Sequence, residues 1–259
     1  MNDLKQDLSI SIVSYNNYND VKLLVEAIEK YTSSSITKTI YIIDNADQRE
    51  DYRKLESQYL DVIYKYAGDN LGFGKGHNYV LEDINSKYHA IVNPDILIGE
   101  DVFSILLEFM RENQNVGMVI PKIVDENGNI QKVYRRYITV YDMVIRMFFK
   151  NKFGKRQYYH TMQDMDYNKP FQVPFGQGSF LVIRTDMLKE LNGFDDRYFM
   201  YMEDADLSKR VNEISQLVYC PDTQVVHKWE RGSHKNFRLL KIHIESMLKY
   251  FNKWGIKWK

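Results

Sequence analysis

Four short apolar runs alternate with stretches of helical periodicity in the first hundred residues of this chain. The runs occupy residues 8–15, 39–43, 62–66 and 89–92. Apolar, β-branched runs of this length are typical of strands that are buried on both faces of a sheet. Strands that alternate with helices form parallel sheets with right-handed crossovers. The pattern therefore predicts an α/β fold, Rossmann-like, with a mostly parallel central sheet flanked by helices.

The carboxyl ends of these four strands are expected to share one edge of the sheet, where open α/β sheets bind their ligands. The fourth run ends in Asn93, Pro94 and Asp95. Because proline has no N–H to donate, Pro94 ends the strand pairing, and Asp95 should be presented at the edge. A strand followed by an ordinary Asx turn is the alternative interpretation of the same triplet.

A glycine-rich segment follows the third strand, at residues 68–78. Its four glycines let the backbone approach a ligand closely and turn amide groups toward an anion. Its spacing matches neither the dinucleotide fingerprint nor the Walker loop. We expect a nucleotide-contacting loop, and a purely structural turn is the alternative. The candidate contacts are Asn70, Gly72, Phe73 and Asn78.

Acidic residues and a histidine complete the set of chemically informative positions. Glu203, Asp204 and Asp206 crowd the start of a predicted helix. Acids are favoured there by the helix dipole, so a capping role needs no chemistry. If this helix starts near Asp95, one of these carboxylates would serve as a general base toward a hydroxyl. His227 follows a strand and is either a structural histidine or, together with Asp95, a metal ligand.

Charge is unevenly distributed, although lysine plus arginine equals aspartate plus glutamate at 35 each. Residues 132–158 contain eight basic residues and one acid, and residues 228–259 contain nine basic residues and two acids. Two basic segments on an acidic body indicate a phosphate-bearing partner or an anionic surface. The aromatic and basic residues form no recognised nucleic-acid-binding module.

The cellular compartment is inferred from the cysteine content and from the lack of a signal peptide or a membrane-spanning stretch. The single cysteine, Cys220, excludes an intramolecular disulfide framework. The N-terminal residues do not form a signal peptide, and no stretch approaches the roughly 18 apolar residues that span a bilayer. We therefore expect a cytoplasmic protein, located at the inner face of the cell membrane if its basic segments bind there.

Two segments have less regular patterns. Residues 135–169 are rich in tyrosine, methionine and basic residues without clean periodicity, and are expected to leave the sheet. Residues 237–259 form a basic amphipathic C-terminal helix. Such a helix either lies in a membrane interface or packs on the domain with a solvated basic face. Residues 141–155 are a second candidate interfacial patch.

The ordered set of these motifs resembles family 2 of the nucleotide-sugar glycosyltransferases, and is most similar to its bacterial rhamnosyltransferase-like branch. The similar segments are residues 11–17, 43–45, 69–74, 93–95, 193–195, 202–207 and His227. The resemblance implies a GT-A fold and an inverting, metal-dependent transfer. It also implies a glycosyltransferase domain at 1–236, with a nucleotide-binding half at 1–121 and an acceptor-binding half at 122–236, followed by the helix at 237–259.

The resemblance assigns roles residue by residue. Asp95 and His227 would hold Mg²⁺ or Mn²⁺, and Asp204 would be the general base. Asn93 would touch the ribose or a metal-bound water, and it departs from the family's Asp-x-Asp pattern by replacing the first carboxylate. The nucleoside would pack on Ser14, Tyr15 and Asn16, its base would be read by Asp44, and the acceptor would contact Gln177, Gly178 and Glu203.

The expected reaction is transfer of a sugar from a nucleoside diphosphate to a hydroxyl of a glycan or a polyprenyl-diphosphate-linked saccharide, in bacterial cell-surface polysaccharide synthesis. On resemblance, dTDP-L-rhamnose is the first candidate donor, and UDP-galactose or UDP-glucose is the second. A nucleotidyltransferase is disfavoured because no glycine-rich, arginine-containing loop follows the first strand. A non-catalytic sugar-nucleotide-binding protein on the same fold is a further alternative.

Overall fold

The computed structural model describes residues 5–149, 152–228 and 237–258, except for the side chain of Phe148. Within these ranges the strands are β1 (Gln6–Ser14), β2 (Lys38–Asp44), β3 (Val62–Tyr66), β4 (Ser86–Val92), β5 (Ile96–Leu97), β6 (Val116–Val124), β7 (Tyr134–Arg135), β8 (Phe171–Gln172), β9 (Phe175–Gly176), β10 (Phe180–Arg184) and β11 (Gln216–His227). The helices are α1 (Tyr18–Tyr31), α2 (Arg53–Gln58), α3 (Phe73–Asn78), α4 (Val102–Glu112), α5 (Val140–Phe148), α6 (Gly154–His160), α7 (Thr185–Glu190), α8 (Glu203–Ile214) and α9 (Phe237–Trp254).

One mixed, mostly parallel sheet organises the molecule, in the order β3-β2-β1-β4-β10-β6-β11-β5, and β8 pairs with β11 beside this path. The first four strands are parallel to one another. Ser14 at the end of β1 lies opposite Asp44 at the end of β2, so their carboxyl ends meet at one edge. The predicted α/β class is confirmed. β10 runs antiparallel to both of its neighbours, β4 and β6.

The core lies between the sheet and its helices, and α4 shows how a helix covers it. Asp101 caps this helix by accepting a hydrogen bond from the backbone N–H of Ser104 at 3.2 Å. One face of α4 is buried through Val102, Phe103, Leu106, Leu107 and Met110. Burying each large apolar side chain is worth roughly 1.5–3 kcal/mol before the entropy of ordering it is counted. This face holds α4 against β6 and β11.

The segment 135–169 leaves the main sheet, as expected, but it contains the helices α5 and α6, which the sequence pattern did not predict. α5 has an identifiable start signal. The side chain of Thr139 accepts a hydrogen bond from the backbone N–H of Asp142 at 3.1 Å and donates one to its carboxylate at 2.6 Å. This reciprocal cap stabilises the first turn of the helix.

Two further elements differ from prediction in their extent. The helix expected to run from the glycine-rich loop to about residue 84 is the single short helix α3, which ends at Asn78. The two strands expected at 217–220 and 224–226 are one strand, β11, with a register shift between Cys220 and Gln224. Pro221 lies inside this irregularity, where a missing N–H is tolerated.

The C-terminal helix α9 packs on the domain through one face. Ser246 donates a hydrogen bond to the Met200 carbonyl at 2.8 Å. Near the end of the helix, Lys253 lies 2.7 Å from the buried Asp206 carboxylate, and the Trp254 indole N–H donates to the same carboxylate at 2.8 Å. Packing on the domain, one of the two expected arrangements, is therefore observed. No described helix has the length and apolar character needed to cross a membrane.

Candidate active site

Asp95 lies where the sequence placed it, just beyond the carboxyl end of β4. The chain passes from Val92 through Pro94 and re-enters the sheet as β5, which pairs antiparallel with the end of β11. In that pairing Ile96 lies opposite His227. The Asp95 Oδ2 and His227 Nε2 atoms are 3.2 Å apart. Two residues separated by 132 positions in the sequence are thus brought together by one strand pair.

Gln131 sets the orientation of His227, and sequence reasoning did not identify it. Its side-chain carbonyl Oε1 lies 3.0 Å from His227 Nδ1, and its Nε2 donates to the His227 backbone carbonyl at 2.6 Å. Because Oε1 only accepts, His227 Nδ1 carries the proton in this arrangement. In the neutral ring the Nε2 lone pair then faces the Asp95 carboxylate.

A lone pair and a carboxylate that face each other suit a divalent cation. Two neighbouring ligands of one octahedral ion lie about 3 Å apart, close to the separation of Asp95 and His227. The Asp95 side chain is 23% exposed, so its carboxylate is open to a ligand on one side, whereas His227 is buried. Within the described ranges no cluster of three or more His, Cys, Asp or Glu side chains could hold a metal. The pair therefore fits an ion that takes its remaining ligands from a substrate and water.

The Asp204 carboxylate is linked to this strand end by two consecutive residues. The Gly178 N–H donates to Asp204 Oδ2 at 3.1 Å, while the next carbonyl, that of Ser179, accepts from the Asn93 N–H at 2.9 Å. The other Asp204 oxygen accepts from the Ala205 N–H at 2.8 Å. One connection thus holds the carboxylate of α8 in a fixed relation to the Asn93–Asp95 turn.

Burial makes both carboxylates at the start of α8 harder to ionise. It raises the pKa of Asp204, while the Gly178 N–H and the guanidinium of Arg135 act in the opposite direction. It raises the pKa of Glu203 to about 8, and the neighbouring charge of Asp204 contributes to that rise. In the described part of the chain Glu203 Oε2 has no hydrogen-bond partner. A carboxylate with a raised pKa beside a ligand site is suited to proton transfer.

Two arginines that sequence reasoning did not single out lie near Asp204. Arg135, in β7, is buried and donates to the Gln177 side-chain carbonyl at 3.3 Å. Arg146 is on α5, and Asp204 stabilises the charge of both guanidinium groups. Both belong to the basic segment 132–158, so the charge asymmetry was the available signal.

The glycine-rich loop is held between two other segments. The Gly72 carbonyl accepts from the Asn45 side-chain amide at 2.9 Å, and the Phe73 N–H donates to the Phe199 carbonyl at 3.0 Å. Gly72 has φ +80°, and a Cβ there would collide with the Phe199 carbonyl oxygen, so only glycine fits. Asn70 Oδ1 accepts from the Gly72 N–H at 3.0 Å. This loop therefore reaches the segment that precedes α8.

Two glycines bring the same loop against the carboxylates. A Cβ on Gly178 would lie 3.1 Å from the Phe73 ring and 3.3 Å from the Asp204 Cβ. A Cβ on Gly74 would lie 3.5 Å from the Glu203 Cβ. Phe73, Gly178, Glu203 and Asp204 thus converge at one place.

Asp44 is fully buried at the end of β2. Its carboxylate accepts hydrogen bonds from the Ala46 N–H at 3.0 Å, the Glu50 N–H at 3.0 Å and the Tyr64 hydroxyl at 2.9 Å. These bonds close the loop after β2. Its expected contact with a nucleobase stays a prediction.

The residues after β1 differ in exposure. Ser14 is buried and donates to the Asn17 side-chain carbonyl at 2.7 Å, whereas Tyr15 and Asn16 are exposed. Asn16 has φ +58°, a left-handed conformation that asparagine tolerates better than most residues. The exposed Tyr15 ring, at the same sheet edge as Asp44, remains the candidate for packing on a nucleoside.

Asn78 is placed differently from the other expected ligands. Its amide donates to the Phe194 carbonyl at 2.7 Å and to Asp196 at 2.9 Å, and its carbonyl accepts from the Phe194 N–H at 2.8 Å. The side chain thus fastens the turn before α8 in this structure. The glycine and basic residues after His227, at 229–236, lie outside the described residues.

Two relatives of this chain are rhamnosyltransferases by name. It is 26% identical over 203 residues to N-acetylglucosaminyl-diphospho-decaprenol L-rhamnosyltransferase of Mycobacterium tuberculosis, a match that covers 73% of this chain and 66% of that protein. The chain therefore spans just under two thirds of that relative. It is 23% identical over 254 residues to the rhamnosyltransferase WbbL of Escherichia coli K12, covering 93% of this chain and 91% of WbbL.

Solved structures share its fold. GalNAc-T7 with UDP, GalNAc and Mn²⁺ superposes with a TM-score of 0.67 at 16% identity, covering 90% of this chain and 45% of that one. The mannosyltransferase PcManGT of Pyrobaculum calidifontis, in complex with GDP-Man and Mn²⁺, superposes with a TM-score of 0.65 at 13% identity, covering 96% and 65%. These matches confirm the expected GT-A fold. The family model described as glycosyl transferase family 2 matches residues 9–191, and this chain belongs to that family.

Proposed function

We propose that this protein is an inverting, divalent-metal-dependent glycosyltransferase that moves a sugar from a nucleoside diphosphate to an acceptor hydroxyl. The observation that carries the proposal is the link between the Asp95–His227 pair and Asp204. Residues 178 and 179 hold Asp204 on one side and the Asn93 backbone on the other. A candidate ion site and a candidate base are thereby connected through two consecutive residues.

Each group has a defined task in this proposal. Asp95 and His227 would hold Mg²⁺ or Mn²⁺, and the ion would supply positive charge to stabilise the departing diphosphate. Asp204, ionised, accepts the proton of the acceptor hydroxyl as that oxygen attacks the anomeric carbon from the face opposite the leaving group. The Gly178 and Ala205 N–H groups keep the carboxylate oriented for this transfer. Direct displacement requires no covalent enzyme intermediate and inverts the anomeric configuration.

We assign the donor nucleoside to the edge formed by Ser14, Tyr15, Asn16 and Asp44, and the acceptor to the side formed by Gln177, Gly178 and Glu203. In this scheme residues 1–121 bind the nucleotide, residues 122–236 bind the acceptor, and the ion lies between them. Asn93, Asn70, Gly72 and Phe73 complete the donor side. Asn78 acts there through the turn that it holds.

For the donor we propose dTDP-L-rhamnose first, because two relatives are rhamnosyltransferases by name. UDP-galactose or UDP-glucose is the second candidate. For the acceptor we propose a saccharide carried on a polyprenyl diphosphate at the inner face of the cell membrane, in accord with the name of the mycobacterial relative. The basic residues of α9 suit such an anionic surface.

A panel of nucleotide sugars, incubated with the purified protein and Mn²⁺ or Mg²⁺, tests the proposal through release of the nucleoside diphosphate. One donor should be hydrolysed or transferred only when the metal is present, and the Asp95→Ala protein should lose this activity. Turnover that is unchanged in EDTA, or full activity of Asp95→Ala, would remove the metal role. Binding of a nucleotide sugar with no release under any condition would favour the non-catalytic binding protein.

A further inference from the structure

The arginines of the basic segment 132–158 fall into two classes. Arg136 forms a bidentate ion pair with Asp164, at 2.9 and 2.8 Å, and Arg156 forms one with Asp142, at 2.6 Å for both bonds. Arg135 lies within 4.0 Å of no carboxylate in the described part of the chain, and the same holds for Arg146. The two arginines without an ion pair are those near Asp204.

Arg135 is the more costly of the two to leave without a counterion. Arg135 is only 5% exposed, and it donates hydrogen bonds to two neutral oxygens, the Lys132 carbonyl and Gln177 Oε1, each at 3.3 Å. The ring of Phe175 lies 5.2 Å below the guanidinium. A buried guanidinium with long bonds to neutral acceptors retains unused donors in a fixed fork, which matches phosphate oxygens.

Arg146 extends the same positive region toward the acceptor side. Arg146 is exposed as a whole residue, yet the protein atoms packed around its guanidinium desolvate the charge and lower its pKa. His243 of α9 lies near both arginines and stacks on the Tyr201 ring at 4.6 Å. Burial, with the charges of Arg146 and Arg135, lowers the pKa of His243 to about 4, so the histidine is neutral at physiological pH. The pair of arginines is therefore flanked by α5 and α9.

From this arrangement we propose that Arg135 and Arg146 form a phosphate-binding subsite that holds the diphosphate of a lipid-linked acceptor beside Asp204. The inference rests on the proposed function, since it assigns a ligand to the acceptor side of that site. It names a second anion site, separate from the Asp95–His227 pair that serves the donor.

The choice of an acceptor phosphate over a donor phosphate follows from location. Arg135 is linked through Gln177 to Gly178, which donates to the proposed base, and Arg146 belongs to α5 on the same side. The helices that flank the subsite also expose apolar side chains, namely Val144 on α5 and Leu240, Ile244 and Leu248 on α9. A phosphate joined to an isoprenoid chain matches a cationic subsite next to an apolar surface.

Binding of farnesyl diphosphate tests the subsite without requiring turnover or the correct acceptor sugar. The titration is made by calorimetry on the full chain, with Mn²⁺ and saturating UDP plus dTDP present to fill the donor site. Because losing a charge-assisted hydrogen bond raises the dissociation constant substantially, Arg135→Gln and Arg146→Gln should each weaken binding about 10- to 100-fold. Arg136→Gln, whose arginine is already paired, is the matched control and should bind like the wild type.

Three outcomes would overturn the proposal. The first is equal affinity in all four proteins. The second is complete displacement of farnesyl diphosphate by UDP and dTDP, which would assign the arginines to the donor. The third is binding of inorganic diphosphate as tight as that of farnesyl diphosphate, which would exclude a lipid-linked source.

Melting curves distinguish a purely structural role of Arg135 from a role in phosphate binding. Replacing an unpaired buried cation should leave the melting temperature of Arg135→Gln equal to or above that of the wild type. A large drop that accompanies the loss of binding would instead assign Arg135 to the fold. If no nucleotide sugar in the panel were turned over, the proposed transferase activity would be wrong. The farnesyl diphosphate titration would still test the subsite independently.

Discussion

The fold gives two buried carboxylates, Asp44 and Glu203, different hydrogen-bond partners. Asp44, on the proposed donor side, accepts three hydrogen bonds from its own loop and from Tyr64. Glu203, on the proposed acceptor side, has one oxygen without a partner in the described structure and a pKa raised to about 8. Both are at least 95% buried. Burial alone therefore does not decide how a carboxylate behaves.

The difference follows from what surrounds each group. The loop after β2 turns its N–H groups toward Asp44, so the protein itself supplies the solvation that water would give. At the start of α8, two carboxylates are consecutive in the sequence, and Gly74 and Gly178 lie close to the two side chains. A satisfied carboxylate stabilises a loop. An incompletely satisfied pair is suited to accept a proton or a ligand.

The largest effect that would break this comparison is expected at Asp204. Asp204→Asn keeps the shape of the side chain but removes the base, so the turnover number should fall about a thousand-fold. The dissociation constant for the donor, measured by calorimetry, should stay within about twofold. Asp186→Asn, an exposed aspartate with a surface ion pair, is the control and should keep full activity. Retained turnover in Asp204→Asn would remove it as the base.

How far the sequence predicted the fold depends on how local each signal is. Apolar runs and the Asn-Pro-Asp triplet are local, and they led correctly to β1–β4 and to Asp95 at the sheet edge. Helix α5 was missed because tyrosines, methionines and basic residues mask its apolar face, although Thr139 and Asp142 carry a capping signal. The antiparallel direction of β10 was not predicted, because it depends on pairing with β4 and β6, which are far away in the sequence.

The candidate site shows the same limit. Asp204 and His227 were found because their neighbours form recognisable motifs, and their roles stay predictions. Gln131 touches a residue 96 positions away, and no pattern in one sequence announces such a pair. Arg135 and Arg146 were visible only as part of a basic segment, because the structure alone separates paired arginines from those without a carboxylate.

The next effect concerns His227, a proposed ion ligand. It tests whether a hydrogen-bond partner orients His227, as the partners of Asp44 orient that carboxylate. Gln131→Leu removes the acceptor for His227 Nδ1 and should weaken Mn²⁺ binding about 10- to 100-fold. Gln131→Glu retains an acceptor at that position and should recover most of the affinity. Titration of Mn²⁺ by electron paramagnetic resonance, with saturating UDP present, measures both proteins. Equal affinity in wild type and Gln131→Leu would show that His227 is not oriented by Gln131 for an ion.

A third effect concerns the satisfied carboxylate itself. Asp44→Asn replaces an acceptor oxygen by an amide that cannot accept from the Ala46 and Glu50 N–H groups and the Tyr64 hydroxyl together. Leaving buried donors unpaired costs about 2 kcal/mol, so the melting temperature without ligand should fall by about 6 °C. Differential scanning calorimetry at pH 7 measures this change. An unchanged melting temperature would mean that water or other protein groups accept these hydrogen bonds in place of Asp44.

The last effect has the opposite sign and belongs to Glu203. An acid whose pKa is about 8 in the folded protein, against an ordinary 4.5, contributes less stability as the pH rises through that interval, because the unfolded chain loses its proton first. Glu203→Gln removes this penalty, so it should match the wild type near pH 4 and melt at an increasingly higher temperature than the wild type as the pH rises toward 8. Melting curves recorded across this pH range for both proteins test the sign as well as the size. A Glu203→Gln protein that melts below the wild type at pH 8 would mean that the ionised carboxylate is stabilised there, as Asp44 is by its loop.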